Sequence, residues 1–169
     1  MCQECGPTDF SPDGKRIVFA RSTRTNVELG QLFVVRIDGS GVRQITPTGM
    51  VDILDAAASW SPSGNRIVFG GHADADHRTA IFTVKPDGTA LHQIAVPDCG
   101  GVRSDPASIA CFDPSWSPDG TKMVFVRSSP GFATTAIYTA NADGTGLAQV
   151  RRSNLKSGAP DWGPHPLAT

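Results

Sequence analysis

No run of this chain approaches the roughly 18 apolar residues that a membrane-crossing helix needs, and no long run of strong helix formers interrupts its succession of glycines and prolines. The first residues, Met1-Cys2-Gln3-Glu4-Cys5, have neither the basic nor the apolar region of a signal peptide. Charge of either sign is sparse and balanced, with 15 Lys and Arg against 16 Asp and Glu for a net −1. The cations are scattered without a basic stripe or interleaved aromatics, so a nucleic-acid partner finds no support. Motifs of hydrolytic chemistry are missing too: there is no G-x-S-x-G elbow and no H-E-x-x-H. The four histidines, His72, His77, His92 and His165, are tied by no pattern to a nucleophile and an orienting acid.

What the chain does have is punctuation. With 18 Gly and 13 Pro in 169 residues, turn signals recur every few positions, as in an all-β protein, and helix is expected to be nearly absent. The punctuation is also periodic. Ser115-Trp116-Ser117-Pro118-Asp119-Gly120 followed by Met123-Val124-Phe125 matches Ser59-Trp60-Ser61-Pro62-Ser63-Gly64 with Ile67-Val68-Phe69, and Asp9-Phe10-Ser11-Pro12-Asp13-Gly14 with Ile17-Val18-Phe19. A shorter copy, Asp161-Trp162-Gly163-Pro164, follows the third. In the full copies the apolar triplet falls at offsets 7 to 9 from the leading aromatic, which is well past a chance tetrapeptide. Proline presets the second position of a type I turn, Asp suits the third and Gly the fourth, so each motif reverses the chain between two extended segments. Later in each copy stands Asp38-Gly39, Asp87-Gly88 or Asp143-Gly144, a strong hairpin signal because Gly takes φ > 0 freely.

The leading aromatics lie 50, 56 and 46 residues apart, in the range of solenoids and propellers. Four short strands per unit, A to D, select the propeller, whose blades are four-stranded sheets packed face to face about an axis. The predicted architecture is an all-β propeller segment of three four-stranded antiparallel blades, about 7–46, 57–95 and 113–151, plus the first strand of a fourth at about 159–163. Phe10, Trp60, Trp116 and Trp162 are then structural residues, with Trp60 and Trp116 packed between blades.

The pattern P-x-W-S-P-D-G, an I-V-F strand, and an aromatic-containing strand ending in D-G resembles the TolB-type (PD40, WD40-like) β-propeller repeat over about residues 7–166. The fullest matches are Pro114 to Gly120 and Asn141 to Gly146; the departures are Phe10 for Trp, Ser63 for Asp, and a last copy that stops after its first strand. The resemblance implies a periplasmic or secreted protein that binds other proteins, or the non-catalytic propeller of a serine peptidase. These motifs specify the repeat and no active-site residue.

Three blades are fewer than the four to eight of closed propellers. Bare flanks would expose residues that a neighbouring blade should bury. Either the chain is part of something longer, or copies associate head to tail to complete a ring.

In an A-B-C-D meander the A–B and C–D turns emerge on one face, and the B–C loops and D–A connections on the other. The first set is constant in this sequence and the second varies in length and composition, which is where a scaffold carries recognition. On that face His72, Asp74, Asp76, His77 and Arg78 gather imidazoles and carboxylates, a candidate contact loop for a protein or peptide. Its spacing fits no established metal loop, and no cofactor is implied. Cys99 and Cys111 bracket the longest connection and are placed for a disulfide. A four-Cys zinc site with Cys2 and Cys5, free thiols, and a Cys2–Cys5 bridge are the alternatives. The expected role is a non-catalytic protein-interaction scaffold, or else the substrate-gating propeller of a peptidase whose catalytic domain lies outside this chain.

Overall fold

The computed structural model describes residues 5–22, 29–52, 57–72, 78–102, 105–151 and 160–162. They form three successive antiparallel sheets. The first contains β1 (Cys5–Phe10), β2 (Arg16–Ser22), β3 (Leu29–Arg36) and β4 (Arg43–Gln44), with the two-residue β5 (Val51–Asp52) on β3 as well. The second repeats the plan with β6 (Ala58–Trp60), β7 (Ile67–His72), β8 (Arg78–Val84), β9 (His92–Gln93) and β10 (Gly101–Val102), the last again pairing the third strand. The third has β11 (Cys111–Trp116), β12 (Lys122–Ser128), β13 (Thr135–Asn141) and β14 (Ala148–Arg151). A single 3-10 turn at Pro130–Phe132 is the one helical element among the described residues.

The A–B turns show why the sequence repeats Ser-Pro-Asp-Gly. The Ser117 hydroxyl donates to Asp119 Oδ1 at 2.6 Å and accepts the Lys122 amide at 2.9 Å, so one side chain closes both sides of the reversal. Ser11 does the same with Asp13 and Arg16 at 2.6 and 2.9 Å. The Ser117 hydroxyl, followed by the Thr121 amide and hydroxyl, holds the Asp119 carboxyl down to about 2. In the second blade Ser63 stands in for Asp, with its hydroxyl 3.2 Å from that of Ser61, and Ser61 still accepts the Arg66 amide at 3.0 Å. The C–D turns close differently. Gly144 donates to the Asn141 carbonyl at 2.9 Å, and the Asn141 amide donates to the Thr145 carbonyl at 2.8 Å. This is a three-residue loop with Gly in the left-handed region. At φ +90°, Gly144 also lies against the preceding blade: a Cβ there would sit 2.7 Å from the Ala95 carbonyl oxygen. Gly144 is therefore a contact between blades as well as a turn residue.

Side chains alternate across each blade, so one sheet feeds two seams. Val18, Ala20, Leu32 and Val34 of the first blade meet Trp60, Ile67, Phe69, Phe82 and Val84 of the second. The opposite face of the second blade, with Val68 and Ile81, meets Trp116, Met123 and Phe125 of the third. Each blade's aromatic face thus lies on the aliphatic face of the blade before it. Within a blade the facing rings stack across strands: Phe19 on Phe33, Phe69 on Phe82 and Phe125 on Tyr138, with centroids 5.5, 5.6 and 6.4 Å apart.

The same rule accounts for Phe10. It holds the position that Trp60 and Trp116 occupy in their blades, yet it is 60% exposed whereas Trp60 is 5% exposed, as expected where a terminal blade has a bare flank. Among the described residues no blade covers the flank that Phe10, Ile17 and Phe19 share. The end of the expected pattern differs: residues 160–162 form no strand ladder. Trp162 is half-buried, and Asp161 accepts a hydrogen bond from Ser115 Oγ at 2.9 Å, so this segment lies beside β11.

Trp60→Ala is expected to cost about 3–5 kcal/mol, as large aromatic truncations in cores do. Phe10→Ala is expected to change stability by less than about 0.5 kcal/mol, as exposed substitutions do. Denaturant melts of the two variants check the pair, and equal losses would contradict the seam assignment.

Candidate functional site

Two groups of residues on this framework have the chemistry for recognition. The first is the face of variable connections. The pairing of β7 with β8 runs from Ile67↔Val84 to His72↔Thr79, two residues beyond the Arg66 to Gly70 strand that the sequence pattern suggests. His72 and Arg78, expected in a loop, are therefore strand residues, because their backbone groups stay in the ladder. Arg78 also pairs with Val102 of β10, and the His72 amide donates to the Met50 carbonyl at 2.7 Å. Asp74, Asp76 and His77 lie outside the described residues. Among those described, no group of three or more His, Cys, Asp or Glu residues is placed to hold a metal ion.

Beside this hairpin the second D–A connection is tied down. Cys99 and Cys111 are joined as a disulfide with Cα atoms 5.5 Å apart. That pairing takes two of the four thiolates that a zinc site would need, while Cys2 lies outside the described residues. One residue before Cys99, Asp98 forms an ion pair with Arg127 at 3.1 Å, and the Arg127 guanidinium lies 5.1 Å from the centre of the Tyr138 ring. Gly101 is packed so closely that a Cβ would meet the Ile109 carbonyl oxygen at 2.5 Å. The longest connection of the chain is thus an anchored surface.

The second group runs along the first strands of successive blades, the strands nearest the axis of a propeller. Asp9 Oδ2 accepts the Trp60 amide at 2.8 Å, Ser59 Oγ accepts the Trp116 amide at 3.4 Å, and Ser115 Oγ donates to Asp161. Asp9 and Ser59 thus reach the next blade, and Ser115 reaches the segment beside β11. Burial raises the Asp9 carboxyl above its ordinary value of 3.8, and repulsion from Asp161 adds to this against the opposing hydrogen bond from the Trp60 amide. The sequence reading missed this polar rail, although its signal was present: Asp9, Ser59, Ser115 and Asp161 are small and polar at the same offset in every copy. Their hydrogen bonds are engaged between neighbouring segments, so the rail joins the blades.

No protein-family model matches the chain. It is similar to an uncharacterised protein of Agrobacterium fabrum, 36% identical over 135 residues that cover 74% of this chain and 40% of that protein. A stretch of 63 residues, 36% of this chain, is 43% identical to 9% of dipeptidyl-peptidase 5 from Porphyromonas gingivalis. Among solved structures, TolB from Acinetobacter baumannii superposes with a TM-score of 0.70 over 90% of this chain and 34% of its own, at 16% identity. A prolyl endopeptidase superposes with a TM-score of 0.61 over 89% of this chain and 22% of its own, at 14% identity. The chain spans less than half the length of each of these proteins.

Because the folded-state value of Asp9 is raised, the unfolded chain gives up this proton first. The carboxyl's contribution to stability is then fully present below about 3.8 and is lost as pH rises through the folded value. Asp9→Asn, which can still accept the Trp60 amide, is expected to abolish that component in melts followed from pH 4 to 7. Asp9→Ala leaves the amide without its acceptor and is expected to cost about 1–3 kcal/mol at every pH. Parallel wild-type and Asp9→Asn curves would contradict the assignment.

Proposed function

We propose that this chain, whose fold is that of the TolB-type β-propeller, is a non-catalytic protein-interaction scaffold that presents its variable connections to a protein or peptide partner. The observation that carries the reading is the contrast between the two faces. The A–B turns repeat one hydrogen-bonding scheme and the C–D turns another in blade after blade, while the B–C and D–A connections differ in length and composition from blade to blade, and described parts of the first two D–A connections are tied down by β5, β10 and the Cys99–Cys111 disulfide. Divergent loops on a fixed framework are the usual place for recognition. TolB homologues are periplasmic, and a disulfide suits an oxidising compartment, so a periplasmic or extracellular location accompanies this reading.

A second reading has its own support in the similarity to dipeptidyl-peptidase 5 and to a prolyl endopeptidase. In it the propeller gates substrates for a hydrolase domain encoded in the same gene. Sequencing the gene around this segment separates the two, since a contiguous α/β-hydrolase segment with a nucleophile elbow favours gating.

For the scaffold, a photo-crosslinking residue at position 78 is expected to give a discrete adduct with one envelope protein, whereas the same residue at position 150, exposed on β14, gives none. Equal labelling from both positions would contradict it. The uncovered flank of the first blade implies a further proposal, that the 169-residue chain completes its ring by self-association. Light scattering coupled to size exclusion is expected to give a mass above that of the 17.8 kDa monomer. A monodisperse monomer with a cooperative melt would overturn this.

A further inference from the structure

On the face opposite the variable connections, between the first and second blades, lies a cleft of about 810 Å³. It is lined by five cations, Arg16, Arg36, Arg43, Arg66 and Lys85, and by one carboxylate, Asp87. The sequence has no basic stripe because the fold takes these residues one at a time from distant strand ends. Arg16 opens β2 and Arg66 immediately precedes β7, Arg36 closes β3 and Lys85 follows β8, and Arg43 comes from β4. Among the described residues none of the five forms an ion pair with a carboxylate; the contacts that hold them are of other kinds. The Arg16 guanidinium lies 4.8 Å from the centre of the Trp60 ring, Arg66 donates to the Ala90 carbonyl at 3.2 Å, and Arg36 donates to Ser40 Oγ at 3.3 Å. Asp87 is itself occupied: the Thr89 hydroxyl and amide hold its carboxyl below the ordinary value, with Lys85 and Arg43 adding to the effect.

Like charges converging on one cleft repel one another, and an anion entering it relieves that repulsion while gaining charge-assisted hydrogen bonds. Guanidinium groups favour the planar carboxylate or the phosphate. The walls choose between these, since Val34, Val35 and Pro86 line the same cleft and offer apolar contact between the charges. No aromatic residue is among those lining the cleft, and Trp60, beneath Arg16, is 5% exposed, so the site offers no open ring on which a base could stack.

We propose that this cleft is a binding site for an acidic peptide segment, in which glutamate or aspartate side chains alternate with apolar ones. The site is independent of the variable face and of the partner proposed there.

The test uses the full chain and a fluorescein-labelled dodecapeptide of alternating Glu and Ala, followed by anisotropy at low and moderate salt. Saturable binding that weakens with salt is expected, with no binding of the Lys-for-Glu peptide. Arg43→Glu combined with Lys85→Glu changes two exposed side chains and is expected to leave the melt unchanged while weakening the peptide by about tenfold or more. Failure of the wild-type chain to bind the peptide, or retention of affinity by a folded double variant, would overturn the proposal. So would a single-stranded oligonucleotide or tripolyphosphate that displaces the peptide at a lower concentration than unlabelled peptide does, since the cleft would then be a phosphate site.

Discussion

The fold depends on the aromatic face of one blade packing on the aliphatic face of the blade before it. A four-stranded sheet cannot bury both its faces by itself, and the alternation of side chains along a strand leaves each blade with two apolar surfaces to cover. Trp60 and Trp116 fill the two seams seen here, and everything else adjusts to that contact. The rail of Asp9, Ser59 and Ser115 fixes the height of one blade against the next at the inner strands. Gly144 lets the outer turns approach the neighbouring backbone. Where the contact has no partner, as at Phe10, the same residue type is exposed, so burial is a property of the seam and not of the aromatic.

Much of this was legible in the sequence because it is local. Ser-Pro-Asp-Gly and Asp-Gly are turn chemistry, the triplets Ile17-Val18-Phe19, Ile67-Val68-Phe69 and Met123-Val124-Phe125 are strands, and their spacing gives the blade. Strand lengths were less legible, since β7 and β8 continue pairing through Gly71 and His72, residues with no strand-forming character of their own. Contacts between repeats were the least legible. The close approach of Gly144 to Ala95 and the gathering of Arg16, Arg36, Arg43, Arg66 and Lys85 depend on which blade sits next to which, and a pattern read within one repeat does not contain that. Aligning the repeats column by column recovers part of it: Asp9, Ser59, Ser115 and Asp161 share a column, as do Arg16 and Arg66.

The arrangement divides labour between two faces. On one, repeated turns hold the framework and bring cations from adjacent blades to a single cleft. On the other, connections of unequal length extend the sheets through β5 and β10, and the Cys99–Cys111 disulfide keeps the longest of them against the third blade. A framework whose stability comes from seams can vary those connections at little cost.

If seams between neighbours carry the stability, protection should follow the number of seams a blade has. Native-state hydrogen exchange measures this strand by strand. The second blade, covered on both faces, should hold the slowest amides, in β7 and β8, while those of β2 and β3 in the first blade should exchange faster through local opening of the uncovered flank. Uniform protection across the three blades, or slowest exchange in the first, would contradict the account.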